Sequence, residues 1–317
     1  MTLFGDTNGI LSGHTRGGNQ TLIGTDDVFG VTEISGDAKK FEDSAKGGND
    51  LLFGKTGAVV NSLVGDAFWM SDTSRGGNDI LAGGSNSTEN RLHGDAYVME
   101  DNARGGNDIL IAAATGINDL YGDAFQMWDS AKGGNDLLIG GGNLFGDAFE
   151  MSGNTDARVK GGNDVLIGVS NETSSLIGDA YELGSGEGGN DLLVAGNSAG
   201  DLLLGDAVRM TRASQGGCDI LVSGTGNDSM WGDGIFLEDD ALGGTDSFVF
   251  AGHNGQDTIF DFNQGQDHID LRALDFTQIE ELSISSDGIN SKVDFGDGNS
   301  ITVVNVAALT SHDFLFG

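Results

Sequence analysis

Two short acidic turns recur along the chain, and the distance between them hardly changes. In LVGDAFWMSDTSRGGNDILAG (residues 63–83), a Gly-Asp turn at 65–66 is followed by a Gly-Gly-Asn-Asp turn at 76–79. Aspartate carboxylates, together with backbone carbonyls that glycine leaves accessible, are the oxygen ligands that Ca²⁺ prefers. The pattern indicates a repeated site for a hard divalent cation.

Each repeat contributes one Asp from each of the two turns. The first column of carboxylates comes from the Gly-Gly-Asn-Asp turn and its variants, and comprises Asp50, Asp79, Asp108, Asp136, Asp164, Asp191, Asp219 and Asp246. The second column comes from the Gly-Asp turn, and comprises Asp37, Asp66, Asp95, Asp123, Asp147, Asp179, Asp206 and Asp233. Glycines that begin the first turn are candidate carbonyl ligands, namely Gly47, Gly76, Gly105, Gly133, Gly161, Gly188 and Gly216. We expect these glycines to adopt turn conformations that are closed to other residues.

Charge repulsion indicates that the columns hold cations. If the repeats stack in register, neighbouring carboxylates repel by roughly 1 kcal/mol per pair even in water. Asn or Ser would serve a simple turn, so the retained Asp residues predict bound Ca²⁺, about 8 to 16 ions per chain. The alternative is that Gly-Asp only forms turns with Asx-type hydrogen bonds, and it stays open above all for the second column. Five scattered His and one Cys argue against Zn²⁺ or copper.

Short apolar runs connect the turns and must position them. The Gly-Gly turns recur every 27 to 30 residues over about nine repeats, and each repeat holds two or three runs of strand length. The spacing Phe68-x-Met70 predicts that both side chains lie on one face of a strand and pack in the core. The sequence therefore predicts an all-β fold, a right-handed parallel β-roll or β-solenoid of about nine rungs of about 28 residues.

The repeat pattern changes near residue 246. We predict a repeat array over residues 1–245 and a C-terminal β cap over residues 246–317. A basic residue precedes the Gly-Gly turn in six repeats, at Arg16, Lys46, Arg75, Arg104, Lys132 and Lys160. We interpret these residues as solvated charges that offset the acidic columns.

Composition excludes several classes of function. The 317 residues carry a formal net charge of −34, which argues against nucleic acid or anionic lipid as a partner. No apolar run reaches the length of a membrane-spanning helix, and no Sec-type signal peptide is recognisable at Met1. The single Cys218 excludes an internal disulfide framework. No motif singles out a nucleophile, a metalloprotease site or a nucleotide loop, so we do not predict an enzyme.

Two segments resemble a known family. GTGNDSMWG (residues 224–232) is similar to the calcium-binding nonapeptide of RTX (repeat-in-toxin, hemolysin-type) proteins, although most rungs lack its middle glycine and are longer than the family's usual 18 residues. The tail FVFAGHNGQDTIFDFNQGQDHIDLRAL resembles the C-terminal segment of serralysin-type exoproteins. This resemblance implies a β-roll with Ca²⁺ between successive turns. It adds Asp228, Asp257 and Asp267 to the first Asp column as candidate ligands.

The resemblance also implies a location and a role. The final Asp313-Phe314-Leu315-Phe316 is similar to the family's C-terminal signal for type I secretion, although a final strand that caps the solenoid explains it equally well. We therefore expect a secreted or cell-surface protein that folds on binding Ca²⁺ and has a structural or adhesive role in the extracellular matrix or at the cell surface.

Three alternatives stay open. The first is a subunit that assembles with itself into fibres or a surface layer. The second is the non-catalytic repeat domain of a secreted enzyme or toxin. A third and weaker one is glycan binding through the polar segments 83–91 and 168–175, where Asn, Ser and Thr concentrate.

Overall fold

Each repeat of the chain contributes one strand to each of three parallel β-sheets, which we number 1, 2 and 3 in chain order. The structure is a computed structural model that describes residues 2–25, 30–154, 157–170, 172–197 and 200–317. Successive rungs pair in parallel throughout the array, so the chain forms a parallel β-solenoid, as the sequence predicts. Each complete rung of the array contains three strands, the higher of the two numbers that the sequence predicts.

Sheet 1 begins each rung, with strands Thr2–Phe4, Val31–Ser35, Val60–Val64, Glu89–His93, Ile117–Tyr121, Gly142–Phe145, Ser174–Ile177, Leu202–Leu204, Ser229–Trp231 and Gln256–Ile259. Sheet 2 follows, with Thr7–Leu11, Ala38–Phe41, Ala67–Met70, Ala96–Met99, Ala124–Trp128, Ala148–Ser152, Ala180–Gly184, Ala207–Thr211 and Gly234–Leu237. Sheet 3 completes the rung, with Thr21–Ile23, Leu51–Phe53, Ile80–Ala82, Ile109–Ile111, Leu137–Ile139, Val165–Ile167, Leu192–Val194, Ile220–Val222, Ser247–Val249, His268–Asp270 and Phe314–Leu315.

Two long apolar cores run along the solenoid, and a smaller buried cluster, Tyr121, Phe145, Ile177 and Leu204, lies beside them. The first core lies between sheets 1 and 3, where inward Leu residues stack in register, as with Leu63 on Leu92 and Leu81 on Leu110. The second core fills the arm formed by sheet 2 and the turn after it, where Ala and Met stack, as with Met70 on Met99. No rung encloses either core alone, so stacking supplies the burial that stabilises the array.

The predicted aromatic core column is confirmed only in part, since Phe125 and Phe149 pack against a buried cluster that includes Tyr121 and Phe145, but the column does not enter the core beside Met70. Met70 is fully buried, but Tyr97 and Tyr181 each expose 44% of their surface, and Phe68, Phe125 and Phe149 are only partly buried. The reason is local, because the strands of sheet 2 turn Ala67 and Met70 inward at a spacing of three residues, which breaks the two-residue alternation. The aromatic rings stack on the outside instead, with centroids 4.9 to 5.1 Å apart.

The C-terminal segment extends two of the sheets. Sheet 1 continues into Asn299–Val303 and ends in the antiparallel strands Ser291–Gly296 and Ser283–Ser286. Two short 3₁₀ helices, Ile279–Glu281 and Ser311–Asp313, lie in the same region. Sheets 1 and 3 thus run unbroken past residue 246, and the division into two domains stays a prediction. None of the helices in the described part of the chain is long and apolar enough to cross a membrane.

Candidate metal centre

The two Asp columns meet between the two apolar cores, in a region that we call the neck. In the first column, Asp50 accepts a hydrogen bond from the backbone N–H of Gln20, and each later carboxylate accepts one from the backbone N–H of the Asp one rung earlier. Asp79 Oδ1 accepts from Asp50 at 2.6 Å, and Asp108 Oδ1 accepts from Asp79 at 2.7 Å. The ladder continues through Asp136, Asp164, Asp191, Asp219 and Asp246. One oxygen of each first-column carboxylate is thereby fixed in place by the backbone.

The second column crosses the neck within a single rung. The Asp66 carboxylate accepts from the Gly77 N–H at 2.9 Å, eleven positions along the chain. Where the arm is longer, Asp147 still reaches the Gly162 N–H, fifteen positions away, at 2.7 Å. Where it is shorter, Asp179 reaches Gly189 at 2.6 Å. The nearly constant spacing in the sequence therefore reflects a bond that closes each arm.

Glycine is required in the neck because neighbouring atoms lie too close for a side chain. Its backbone conformation there does not exclude other residues, contrary to our expectation. None of the seven glycines that begin the first turn has a φ in the left-handed region. A Cβ built on Gly76 would overlap the carboxylates of Asp66 and Asp95, and one built on Gly65 would overlap the Asp79 carboxylate and the Gly94 carbonyl. The carboxylate of each turn thus occupies the space where a side chain on the opposite glycine would lie.

The neck carboxylates are buried and only half satisfied. Fifteen of the sixteen expose 3% of their surface or less, and only Asp233 is partly buried. Among the described residues, one oxygen has no hydrogen-bond donor in all eight members of the first column and in six of the second. Such buried, unpartnered oxygens are costly and call for a ligand.

Burial and mutual repulsion make ionisation of these groups unfavourable. Burial raises the pKa of Asp66 well above its ordinary value, and the negative charges of Asp79 and Asp37 raise it further. Burial likewise raises the pKa of Asp50 and of Asp179 to about 6, and that of Asp246 to about 8. Among the described residues, none of the ion pairs neutralises a neck carboxylate.

The chemistry of the neck fits a hard cation. The atoms that converge on Gly65 and Gly76 are carboxylate and carbonyl oxygens, which Ca²⁺ prefers, and no His or Cys side chain joins them. Within the described residues, however, no three Asp, Glu, His or Cys side chains form a metal-binding group by themselves. Carbonyls such as that of Gly94, and water, would have to complete a coordination shell.

The candidates outside the two columns fall into different places. Asp267 extends the first column, since its Oδ1 accepts from the Asp246 N–H at 3.0 Å. Asp228 and Asp257 instead lie where sheet 1 begins, at a third position that we call the corner column. This column holds Thr32, Asn61, Asn90 and Asn118 in the early rungs, and Ser174, Asp201, Asp228 and Asp257 in the later ones.

Sequence reasoning missed three of the aspartates in these ladders. Asp201 accepts from the backbone N–H groups of Ser174 and Gly196, and its signal was a Gly-Asp pair directly before a strand. Asp261 extends the second column by accepting from Gly232 and Asp233, and burial raises its pKa to about 7. Asp261 follows Phe rather than Gly, so the motif gave no sign of it. At the other end, Asp6 accepts from Gly18 at 2.7 Å.

The basic residues before the Gly-Gly turn stack on the outside of the arm. They form a column of parallel bridges from Arg16 to Lys160, after which Glu187, Gln215 and Leu242 follow. Lys160 pairs with Glu187 on the surface. This agrees with the interpretation of the column as solvated charge.

Comparison with known proteins identifies the family of this chain. A search of curated proteins found no relative of the chain. A family model described as the serralysin C terminal of peptidase M10 matches residues 18–316, which is nearly the whole array and its cap. The chain therefore belongs to the family of the serralysin C-terminal region, the RTX-type repeat region of these peptidases.

Proposed function

We propose that the chain is a calcium-binding repeat protein whose folding is coupled to the binding of Ca²⁺ along the neck. The observation that carries the proposal is the row of buried carboxylate oxygens without a donor, one in every first-column Asp. Membership of the RTX-type family supports the choice of Ca²⁺, because this family typically binds that ion. No catalytic activity is proposed.

Coupling to folding follows from where the charges lie. In the unfolded chain the carboxylates are solvated and far apart, whereas stacking buries two of them in every rung of the neck. Without cations the folded chain must either protonate these groups or bear their repulsion, and both are unfavourable at neutral pH. An ion that binds only the folded neck contributes its binding free energy to folding.

The geometry favours one ion per rung. Asp66 contacts the turn that carries Asp79, and Asp79 contacts the turn that carries Asp66, so both columns border the same space. Two carboxylates per rung carry a charge of −2, which one Ca²⁺ neutralises. We therefore propose about eight ions in the neck, the lower end of the range expected from sequence.

The proposed setting is extracellular. Secretion by the type I pathway is characteristic of the serralysin C-terminal family, and the chain would stay unfolded in a calcium-poor cytosol and fold outside. The final Phe314–Leu315 strand pairs with His268–Asp270 and caps the first core, so a secretion signal here would also serve as a structural strand. A structural or adhesive role, or that of a non-catalytic repeat domain in an exoprotein, is consistent with this proposal.

Circular dichroism with a Ca²⁺ titration tests the coupling. We expect a disordered spectrum in excess chelator and a β spectrum at about 1 mM Ca²⁺, with Mg²⁺ at the same concentration as the control that restores less, because Mg²⁺ demands tighter octahedral geometry. Metal content per folded chain, measured by mass spectrometry of the elements, should be about eight Ca²⁺. A β spectrum that is unchanged by chelator would contradict the proposal.

A further inference from the structure

The strands of sheet 3 are apolar on both faces. In seven consecutive rungs, from Leu51–Phe53 to Ile220–Val222, the central residue is Leu and points into the first core. The two flanking residues point outward and are apolar in every rung. They form two outer columns, Leu51, Ile80, Ile109, Leu137, Val165, Leu192 and Ile220 in one, and Phe53, Ala82, Ile111, Ile139, Ile167, Val194 and Val222 in the other.

A third outward column borders these two and is also uncharged. It consists of the residues two positions earlier, Asn49, Asn78, Asn107, Asn135, Asn163, Asn190 and Cys218. Several of these amides are fixed in a ladder, since Asn107 Oδ1 accepts from the Asn135 N–H at 2.7 Å and Asn135 Oδ1 from Asn163 at 2.8 Å. We call the three columns together the neutral face.

The neutral face contrasts with the rest of the surface. A fifth of the chain's residues are charged, yet none of the 21 positions on this face is. The outward positions of the other two sheets include Arg91 and Asp119 on sheet 1, and Glu150 and Glu182 on sheet 2. The absence of charge on one of three faces is therefore a specific feature rather than a consequence of composition.

No described part of the chain covers the neutral face completely. Ile80 and Ile111 each expose 39% of their surface and Ile220 exposes 44%. Parallel strands with apolar residues at every position are typical of sheets that are covered on both faces. Sheet 3 has this pattern but only one covering layer, which is sheet 1 across the first core.

We propose that the neutral face is an interface between two copies of this chain, packed sheet to sheet. The outer columns repeat every 4.8 Å or so over about 30 Å, and a second copy matches that period along its whole length, so ridges of one face can fit the grooves of the other. Two faces without charge bring no like charges into direct contact, and screening by salt together with the proposed Ca²⁺ reduces the repulsion between the two net charges of −34. The same net charge disfavours the alternative occupant, an anionic lipid surface.

The available area predicts a reversible dimer. Seven rungs about 4.8 Å apart and five residues of about 3.3 Å each give a face of roughly 30 by 17 Å. Two such faces bury on the order of 1,000 Å² in total, the lower end for a specific interface. The stacked strands and the amide ladder are already ordered, so little conformational entropy is lost on association. We expect a dissociation constant in the micromolar range, on the order of 10 to 100 µM.

Sedimentation velocity in Ca²⁺, from about 1 to about 500 µM chain, tests the interface. The neutral face exists only in the folded chain, so this test depends on the proposed function insofar as folding requires Ca²⁺. Circular dichroism of the same samples measures folding separately. The wild-type chain should pass from monomer to dimer. Ile111→Lys should weaken the dimer at least about tenfold, because it places a charge from each copy in the interface.

Ile117→Lys is the matched control. Ile117 is also an exposed isoleucine, at 59%, but it lies on sheet 1. This variant should dimerise like the wild type, and both variants should keep the β spectrum because both side chains can reach solvent. A chain that keeps its β spectrum in chelator would contradict calcium-coupled folding, yet its sedimentation would still decide the interface.

Three results would overturn the proposed interface. One is a folded wild-type chain that stays monomeric up to about 500 µM. Another is a dimer that Ile111→Lys leaves intact or that Ile117→Lys weakens equally, since either would place the contact elsewhere. The third is a monomer that cosediments with phosphatidylcholine vesicles and loses this binding in Ile111→Lys, which would assign the face to lipid.

Discussion

The neck and the later rungs of the corner column share a ladder of backbone hydrogen bonds to Asp, whereas the earlier rungs of the corner column carry neutral amides. In the neck, Asp108 Oδ1 accepts from the Asp79 N–H of the previous rung. In the corner column, Asp201 Oδ1 accepts from Ser174 in the same manner, but the earlier rungs use Asn61 and Asn90, whose amides bond to each other at 2.8 Å. The side-chain oxygens of Asn61 and Asn90 also accept from the backbone N–H groups of Lys55 at 2.8 Å and Gly84 at 2.9 Å, so a neutral amide satisfies the backbone of a turn in this fold.

This difference bears on why the neck keeps Asp. None of the side-chain oxygens of Asn61, Asn90 and Asn118 lacks a donor, whereas every first-column carboxylate of the neck has one oxygen without a donor among the described residues. The corner amides complete their own network, as when Asn61 Nδ2 donates to Ser87 at 2.9 Å. Turn formation alone does not account for the neck carboxylates, which is consistent with the proposed binding of a cation there.

The largest expected effect is on the backbone packing of the neck. In Gly77→Ala, the new Cβ would overlap the carbonyl oxygen of Gly48, so the rungs must separate and stability should fall by more than about 3 kcal/mol. Gly57→Ala, near the corner, should cost only about 1 kcal/mol, because its φ of +75° is strained for Ala but nothing lies within 4 Å. Urea denaturation in Ca²⁺ measures both, and equal losses would contradict the distinction.

A control variant involves neither steric overlap nor a strained backbone φ. Gly252 has neither a positive φ in the strained range nor any atom within 4 Å of a built Cβ. Gly252→Ala should therefore leave the midpoint of unfolding unchanged within error.

The next largest effect is on the pH dependence without metal. The folded-state pKa is raised to about 7 for Asp37 and about 8 for Asp246, whereas the unfolded value is about 3.9. The folded neck thus binds protons more tightly than the unfolded chain, so its stability falls as pH rises between about 4 and about 8. In chelator, lowering the pH from about 8 to about 5 should increase the β signal in circular dichroism.

Protons and Ca²⁺ should compete in the same window. At about pH 5 the Ca²⁺ concentration needed for folding should rise relative to pH 8, since the carboxylates are partly protonated. A neck that becomes less β-structured on acidification in chelator would show that its carboxylates do not repel one another in the folded state.

Replacing a charged Asp of the neck by the neutral Asn of the corner column should change stability by a smaller amount. Asp108→Asn keeps an oxygen for the Asp79 N–H but removes one charge, so the folded chain should gain about 1 kcal/mol in chelator. The same variant should bind Ca²⁺ roughly tenfold more weakly at that rung, measured by calorimetry. A weaker affinity without the gain in chelator would mean that repulsion is not what Ca²⁺ relieves.

The reverse exchange tests the corner. Asn61→Asp loses the amide donors to Lys55, Ser87 and Asn90, so it should destabilise the chain by about 2 kcal/mol. It should not add an ion to the metal content, because the corner lacks the second carboxylate column of the neck. An additional bound Ca²⁺ in this variant would contradict the comparison.

The smallest effect is expected at the basic column. Arg104 is exposed and stacks between Arg75 and Lys132, away from the neck carboxylates. Arg104→Ala should change stability by less than about 0.5 kcal/mol and leave Ca²⁺ content unchanged. A loss of bound Ca²⁺ would mean that this charge acts on the neck after all.

Particular residues show which features of the fold and of the neck could be predicted from the sequence. The repeat of Leu, Met and Asp predicted parallel stacking, because identical side chains in register form continuous ladders, and the register of Leu63 on Leu92 confirms it. Phe68 could not be placed, because its side depends on a local break in the alternation of sheet 2. Asp261 could not be found, because it reaches the neck from a segment without the Gly-Asp motif.

The period, the parallel solenoid and the two Asp columns can be read from the amino-acid sequence, because they follow from residue types at fixed spacing along the chain. The folded chain adds three relations: the columns face one another across a single neck, the glycines of the neck make room for carboxylates and carbonyls, and sheet 3 leaves a neutral face outward. These relations join residues about one arm or one rung apart. They depend on how the arm folds back on the first core, and no local pattern of residues fixes that path.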